Sequence, residues 1–225
     1  MKTAHTLGLA LCLAAGSCIA PAAEIEPEGN KLVVIGMLDG TALPAFVERI
    51  NSGTVRTVVF EDSLGGNAEV AEAYARVIRD KGLSTEARGQ CQAACAYAFL
   101  AGKEHRFARS SGVNALLIPL VRRPAAAEMQ AGRWRGEEAP PASSAAAAVS
   151  VSIDSTEPQA AARSATLSSP TPTWQPGQGV LFTSTPTLFG RVYNTYWCDG
   201  TQGTDVSRCE RLSDADPHKL GVLTQ

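Results

Sequence analysis

Histidine is scarce in this chain. Its 225 residues hold three, at His5, His105 and His218, far apart in sequence. Four cysteines after the first twenty residues (Cys91, Cys95, Cys198, Cys209) read as pairs, so no His/Cys cluster stands at metal spacing. Phosphate-loop and dinucleotide fingerprints are absent. No metal and no cofactor is therefore expected, which removes most cofactor-dependent enzymes. The 20 Lys and Arg against 22 Asp and Glu leave a net charge of -2. That balance gives no basic footprint for nucleic acid and no polybasic segment for anionic lipid. After the N-terminus no apolar run approaches the ~20 residues of a membrane-spanning helix.

The N-terminus carries an address. Lys2 supplies a positive start, Leu7–Ile19 form an apolar and small-residue stretch, and Ala20-Pro21-Ala22 matches a small-x-small cleavage pattern. Residues 1–22 read as a signal peptide, which makes the protein periplasmic or secreted. Lipoprotein processing at Cys18, after Ala15-Gly16-Ser17, is a competing reading. In an oxidising compartment the four remaining cysteines suggest disulfides, with three possible connectivities. Proximity favours Cys91–Cys95 and Cys198–Cys209.

Composition divides the rest into three parts: a patterned region over 31–122, a stretch over 123–176, and a small C-terminal segment over 177–225. The middle stretch is rich in Ala, Ser, Pro and Thr, and has too little apolar surface to offset its chain entropy. It reads as a disordered linker or insert. In the first part Lys31–Met37 is a continuous apolar run, as expected of a buried strand. Ala42–Ile50 follows as a helix, Val55–Phe60 as a strand, and Gly65-Gly66 as a break. Asn67 then caps a helix running through Arg79, with Val70, Tyr74, Val77 and Ile78 as its apolar stripe. Leu83–Ala87 is a third strand. Alternating β and α with short connections predicts an α/β fold whose sheet is mostly parallel.

Four short stretches give this order a family likeness: Ser63-Leu64-Gly65-Gly66, Cys91-Gln92-Ala93-Ala94-Cys95, Ala101-Gly102 and Gly112-Val113-Asn114. Over Leu32–Asn114 the chain resembles the Clp-protease/crotonase superfamily, in particular its exported bacterial branch. The resemblance implies a core of repeated ββα and βα units. It places Ala93 where hydrolases of the superfamily carry a nucleophilic serine, and Asn114 where they carry a general-base histidine. Neither residue serves that chemistry. The expectation is thus a catalytically inactive homologue with a binding or scaffolding role, whose partner is an envelope protein or peptide and which forms a homo-oligomer as related folds do. The resemblance also implies an oxyanion-type pocket built from the backbone N–H groups of Gly65, Gly66 and Ala94. The plainer reading is that Gly65-Gly66 only makes a tight turn.

The alternative is a peptidase or esterase with a relocated nucleophile: Ser63, or Cys91 or Cys95 as a thiolate at a helix start. Glu61 and Asp62 are the nearest carboxylates for acid–base work. Against a crotonase-type reaction, coenzyme A thioesters are not expected outside the cytoplasm. His105 reads as a surface strand residue. Tyr193, Tyr196 and Trp197, beside a Cys198–Cys209 staple, read as packing groups with a binding face as the other option.

Overall fold

A computed structural model of the chain describes residues 23–109, 112–120, 123–124, 178–199 and 205–224. The signal peptide, Cys18 and nearly all of 123–176 lie outside the described residues. Among the described residues nine strands form one sheet, with three helices. The strands are β1 Glu24–Glu28, β2 Lys31–Ile35, β3 Thr57–Ser63, β4 Ser84–Gln92, β5 His105–Phe107, β6 Asn114–Pro119, β7 Gln178–Thr187, β8 Gly190–Asp199 and β9 Glu210–Arg211. The helices are α1 Leu43–Asn51, α2 Ala68–Asp80 and α3 Ala94–Phe99. Strand order is β1-β2-β3-β4-β6-β7-β8-β9, and β5 shares the β6 side of β4.

Only the centre of the sheet is parallel. The pairs β2–β3, β3–β4, β4–β5 and β4–β6 run parallel, whereas β1–β2, β6–β7, β7–β8 and β8–β9 are antiparallel. The expectation of a mostly parallel sheet is corrected on both flanks. There the β1–β2 and β7–β8 pairs follow one another through tight turns rather than helices, and a tight turn can only reverse direction; β7 returns antiparallel to β6 after the 123–176 insertion. One such turn holds Gly29 at φ 63°.

Alternation along the strands separates two faces. Leu32, Val34, Val58, Phe60, Ala87, Cys91, Leu116 and Ile118 face the helices and pack with Phe46, Ile50, Tyr74 and Phe99. On the other face Ala115, Leu117, Leu181 and Cys198 form a small cluster. Nearby on β1 to β5, Arg88 bonds Glu61 and Glu28, and Glu86 bonds Lys31 and Arg106. Asn67 caps α2, its Oδ1 accepting from Glu69 N at 2.8 Å and Val70 N at 3.3 Å. The buried stripe of α2 is Ala71, Tyr74, Ala75 and Ile78. It is shifted from the expected one because two alanines let the helix approach closely, leaving Val70 and Val77 half-buried at its margins.

The C-terminal segment does not stand apart: β7 and β8 continue the sheet from β6. Pro119 pairs with Gly179, so the two ends of the 123–176 stretch lie side by side on adjacent strands. In topology the stretch is an insertion between hairpin strands. The disulfide Cys198–Cys209 ties the end of β8 to the residue before β9. A loop of that size contributes about 3 kcal/mol by chain-entropy reasoning.

His105 is buried, not a surface residue. Its ring packs at a tilt against Phe99, and its Nδ1 lies 2.6 Å from Val222 O. Thr224 closes the same contact, its N donating to His105 O at 2.7 Å. Burial holds the imidazole below its ordinary 6.5, partly offset by the Val222 carbonyl. Because the unfolded chain takes up the proton more readily, the stability is present above pH 6.5 and is lost as pH falls below it. Urea midpoints measured between pH 7.5 and 5 should fall with acid, and His105→Gln should flatten that fall. An unchanged slope in the variant would assign the acid sensitivity elsewhere.

Candidate functional site

Parallel strands β2, β3 and β4 end at the same edge of the sheet, the edge where open α/β sheets bind ligands. The chain leaves β3 through Leu64-Gly65-Gly66, and passes from β4 into α3 through Ala93 alone. Gly65 and Gly66 are buried, with φ of 139° and 143°. Gly66 is pressed against the chain after β2: a Cβ there would sit 2.4 Å from Leu38 O. Leu38 N donates to Gly65 O and Asn67 N donates to Leu38 O, at 3.2 and 2.8 Å. A parallel bridge of this form turns the N–H of Gly66 itself away from Leu38, toward the β4 side.

Ala93 adopts φ 51° and ψ −108° and is fully buried. Apart from glycines, only it and Asp62 have positive φ among the described residues. Such a conformation costs about 1–3 kcal/mol and gathers at functional sites. It resembles the sharp strand-to-helix elbow on which some hydrolases mount a nucleophile. Here the elbow carries a methyl group. The next residue, Ala94, opens α3, so its N–H has no partner within the helix.

The elbow is stapled by the Cys91–Cys95 disulfide, with Cα atoms 5.2 Å apart. Cys91 belongs to β4 rather than to a helix start, and the bend at Ala93 brings the two cysteines together without distorting α3. Both are buried and oxidised, so neither presents a thiolate.

Asn114 does not sit at the elbow. Gln92 pairs with Leu117, and Ala93 N donates to Leu117 O at 3.1 Å. Asn114 starts β6 level with Gly89, four residues back from the Ala93 level. That is about 13 Å along the strand, outside hydrogen-bond reach. The Asn114 amide is a strut instead: Oδ1 accepts from Gly89 N at 2.9 Å and Nδ2 donates to Ala108 O at 2.7 Å. The residues beside the elbow are Leu116, Leu117 and Ile118, none of them ionisable. Sequence matching by a short Gly-Val-x segment missed this, because only the strand register reveals it.

The neighbouring carboxylates are also engaged. Glu61 pairs with Arg88 at 3.0 Å, and Asp62 Oδ1 accepts from Gln90 N at 3.1 Å. Asp62 braces an irregularity of β3 against Gly89, where a Cβ would lie 2.0 Å from its Oδ1. Ser63 pairs with Cys91, is fully buried, and its hydroxyl has no hydrogen-bond partner. The Tyr74 hydroxyl is likewise buried and unpartnered, and burial, then nearby Asp39, pushes its phenol well above the ordinary range. Burial and a hydrogen bond to Glu72 raise the phenol of Tyr97, on α3. Of the C-terminal aromatics, Tyr193 stacks on Phe107 and meets His218 edge-on, while Trp197 packs at the margin of the main core. Among the described residues no helix is long and apolar enough to cross a membrane.

No family model matches the chain, and no curated protein matches it significantly. Solved structures give partial matches. One is a probable enoyl-CoA hydratase/isomerase from Mycobacterium abscessus, at 11% identity and TM-score 0.31, covering 42% of this chain and 48% of that one. Another is ThnE from S. clavuligerus, at 16% identity and TM-score 0.31, covering 50% of this chain and 62% of that one. The chain thus spans less than two thirds of either structure. The enoyl-CoA hydratase structures it resembles each overlap less than half of this chain.

Proposed function

We propose that this is an exported, non-catalytic relative of the Clp-protease/crotonase superfamily. On this reading the elbow binds a carbonyl or carboxylate group of a peptide or envelope protein rather than cleaving it. The observation that carries the reading is the elbow itself. A buried, positive-φ strand-to-helix turn is retained and stapled, yet its residue is Ala93 and the strand beside it offers only Leu116, Leu117 and Ile118. Without a hydroxyl or thiol there is no covalent intermediate, and without an imidazole or carboxylate there is no proton acceptor. Backbone N–H groups of Gly66 and Ala94 are indifferent to those losses, so recognition of a carbonyl oxygen outlasts catalysis.

Export is supported by the two disulfides, which persist in oxidising compartments. The relocated-nucleophile alternative fares poorly on geometry. The Ser63 hydroxyl is buried with no base bonded to it, and Cys95 is oxidised. Ester and peptide hydrolysis by wild type, Ser63→Ala and Cys95→Ala should be equal and at the buffer rate. Turnover by wild type that either substitution abolishes would establish the enzyme instead.

A further inference from the structure

Ala93 holds a conformation that this chain elsewhere gives to glycine. Among the described residues every other positive-φ position is a glycine, Asp62 excepted. Glycine adopts such backbone freely, whereas a Cβ makes it costly. Ala93 therefore needs a restraint from outside itself. Two backbone hydrogen bonds touch it, Ala93 N to Leu117 O and Tyr97 N to Ala93 O, at 3.1 and 3.0 Å. The helix that follows, Ala94–Phe99, has six residues, and helices so short are marginal without tertiary help. The Cys91–Cys95 bond is the covalent restraint, joining β4 to α3 directly across Ala93.

Ser63 adds a second cost to the oxidised form. It stands in register with Cys91 on the neighbouring strand, and residues in register share a face of the sheet. Its hydroxyl is fully buried and has no hydrogen-bond partner. A buried orphan of this kind marks stored strain or a redox role. A Cys91 thiol is a weak donor and acceptor, so the reduced chain offers this hydroxyl a partner that the disulfide denies it. The costs at Ala93 and Ser63 both set the oxidised elbow against the reduced chain. The bond between the sulfurs opposes both.

We propose that the elbow forms only once Cys91 and Cys95 are oxidised, so that the site is absent from the reduced chain and is made in an oxidising compartment. This regulation rests on the reading of the elbow as a binding site. The oxidant is an external disulfide, small or carried by a protein. The thiolate of one cysteine attacks it and displaces one of its sulfurs as a thiol. The other cysteine then attacks the mixed disulfide, closing Cys91–Cys95 and releasing the second donor sulfur. Two electrons and two protons pass from the cysteines to the donor, which leaves as two thiols. Both cysteines end fully buried, so the exchange precedes the packing of α3, and burial then shields the bond from external thiols. The device is a one-way lock.

Hydrogen exchange of the full chain, read by mass spectrometry, tests this on three proteins: wild type, Cys91→Ala/Cys95→Ala, and that double variant carrying Ala93→Gly as well. Cys198–Cys209 is intact in all three. Opening a loop whose ends are four residues apart should speed exchange over 93–99 about thirtyfold in the chain-entropy model. Strands β2 and β3 should keep their wild-type rates. Glycine takes the bend unaided, so Ala93→Gly should return most of the lost protection, which a general loss of stability would not allow. Unchanged exchange over 93–99 in the double variant overturns the proposal, and so does a loss that Ala93→Gly leaves unrepaired. The same rule holds if the double variant unfolds outright: either the glycine restores β2 and β3 with the elbow, or the proposal fails. No ligand enters the measurement, so its failure and that of the binding reading are told apart.

Discussion

Gly66→Ala should lower the stability of this protein by about 3–5 kcal/mol, a large share of a typical total near 5–15 kcal/mol. Two costs add. The backbone at φ 143° is one that a Cβ disfavours, and that Cβ would lie 2.4 Å from Leu38 O and 2.9 Å from Leu38 Cα. Backbone on the facing side cannot rotate away as a side chain would. The bridge that joins the β2 and β3 ends must open, and with it the edge that carries the elbow. Gly53→Ala is the control. Gly53 has φ 79°, but nothing lies within 4 Å of a Cβ there, so only the conformational cost of about 1–2 kcal/mol remains. Urea denaturation of the two variants should separate them by about 2 kcal/mol or more. Equal losses would mean that the Leu38–Gly66 contact is not tight.

Asn114→Ala should cost about 3 kcal/mol. The amide is fully buried and bonded at both ends, to Gly89 N and Ala108 O. Its removal leaves a half-buried donor and a buried acceptor unpaired, at about 1–3 kcal/mol each before relaxation. Asn114→Asp keeps the acceptor for Gly89 N but sets a carboxylate against the Ala108 carbonyl, so it should rescue little. Chemical denaturation at pH 7.5 measures both. A loss below about 1 kcal/mol for Asn114→Ala would show that solvent reaches the two groups.

The elements that can be read along the sequence are those whose signals are local. The Lys31–Met37 apolar run forms the strand Lys31–Ile35, and the Asn67 cap and the Gly65-Gly66 break lie in the structure near where pattern alone put them. The antiparallel flanks were legible only in part. Arg191–Cys198 looks like an aromatic-rich segment, and nothing local states that β7 pairs with β6 across an insertion of more than fifty residues. His105 looked exposed for the same reason: its cover, Val222 and Thr224, lies more than a hundred residues away.

The candidate site divides along the same line. The elbow and its staple are encoded within five residues, Cys91–Cys95, and could be read there. The neighbour of the elbow depends on the β4–β6 register, a non-local quantity. Asn114 was therefore set in the wrong place by the match of the short Gly112-Val113-Asn114 stretch, and Leu117 was overlooked. Moving the base position from Asn114 to the Leu116–Ile118 segment strengthens the inactive reading. An asparagine could at least hydrogen-bond a substrate, whereas these side chains cannot.

The central claim is that the elbow holds no nucleophile and that no other serine replaces it. Incubating the purified protein with a fluorophosphonate probe, followed by intact-mass measurement, tests it most directly. No adduct should form, on wild type as on Ser63→Ala. A stoichiometric adduct on wild type, mapped to Ser63 or to any other serine, would contradict it.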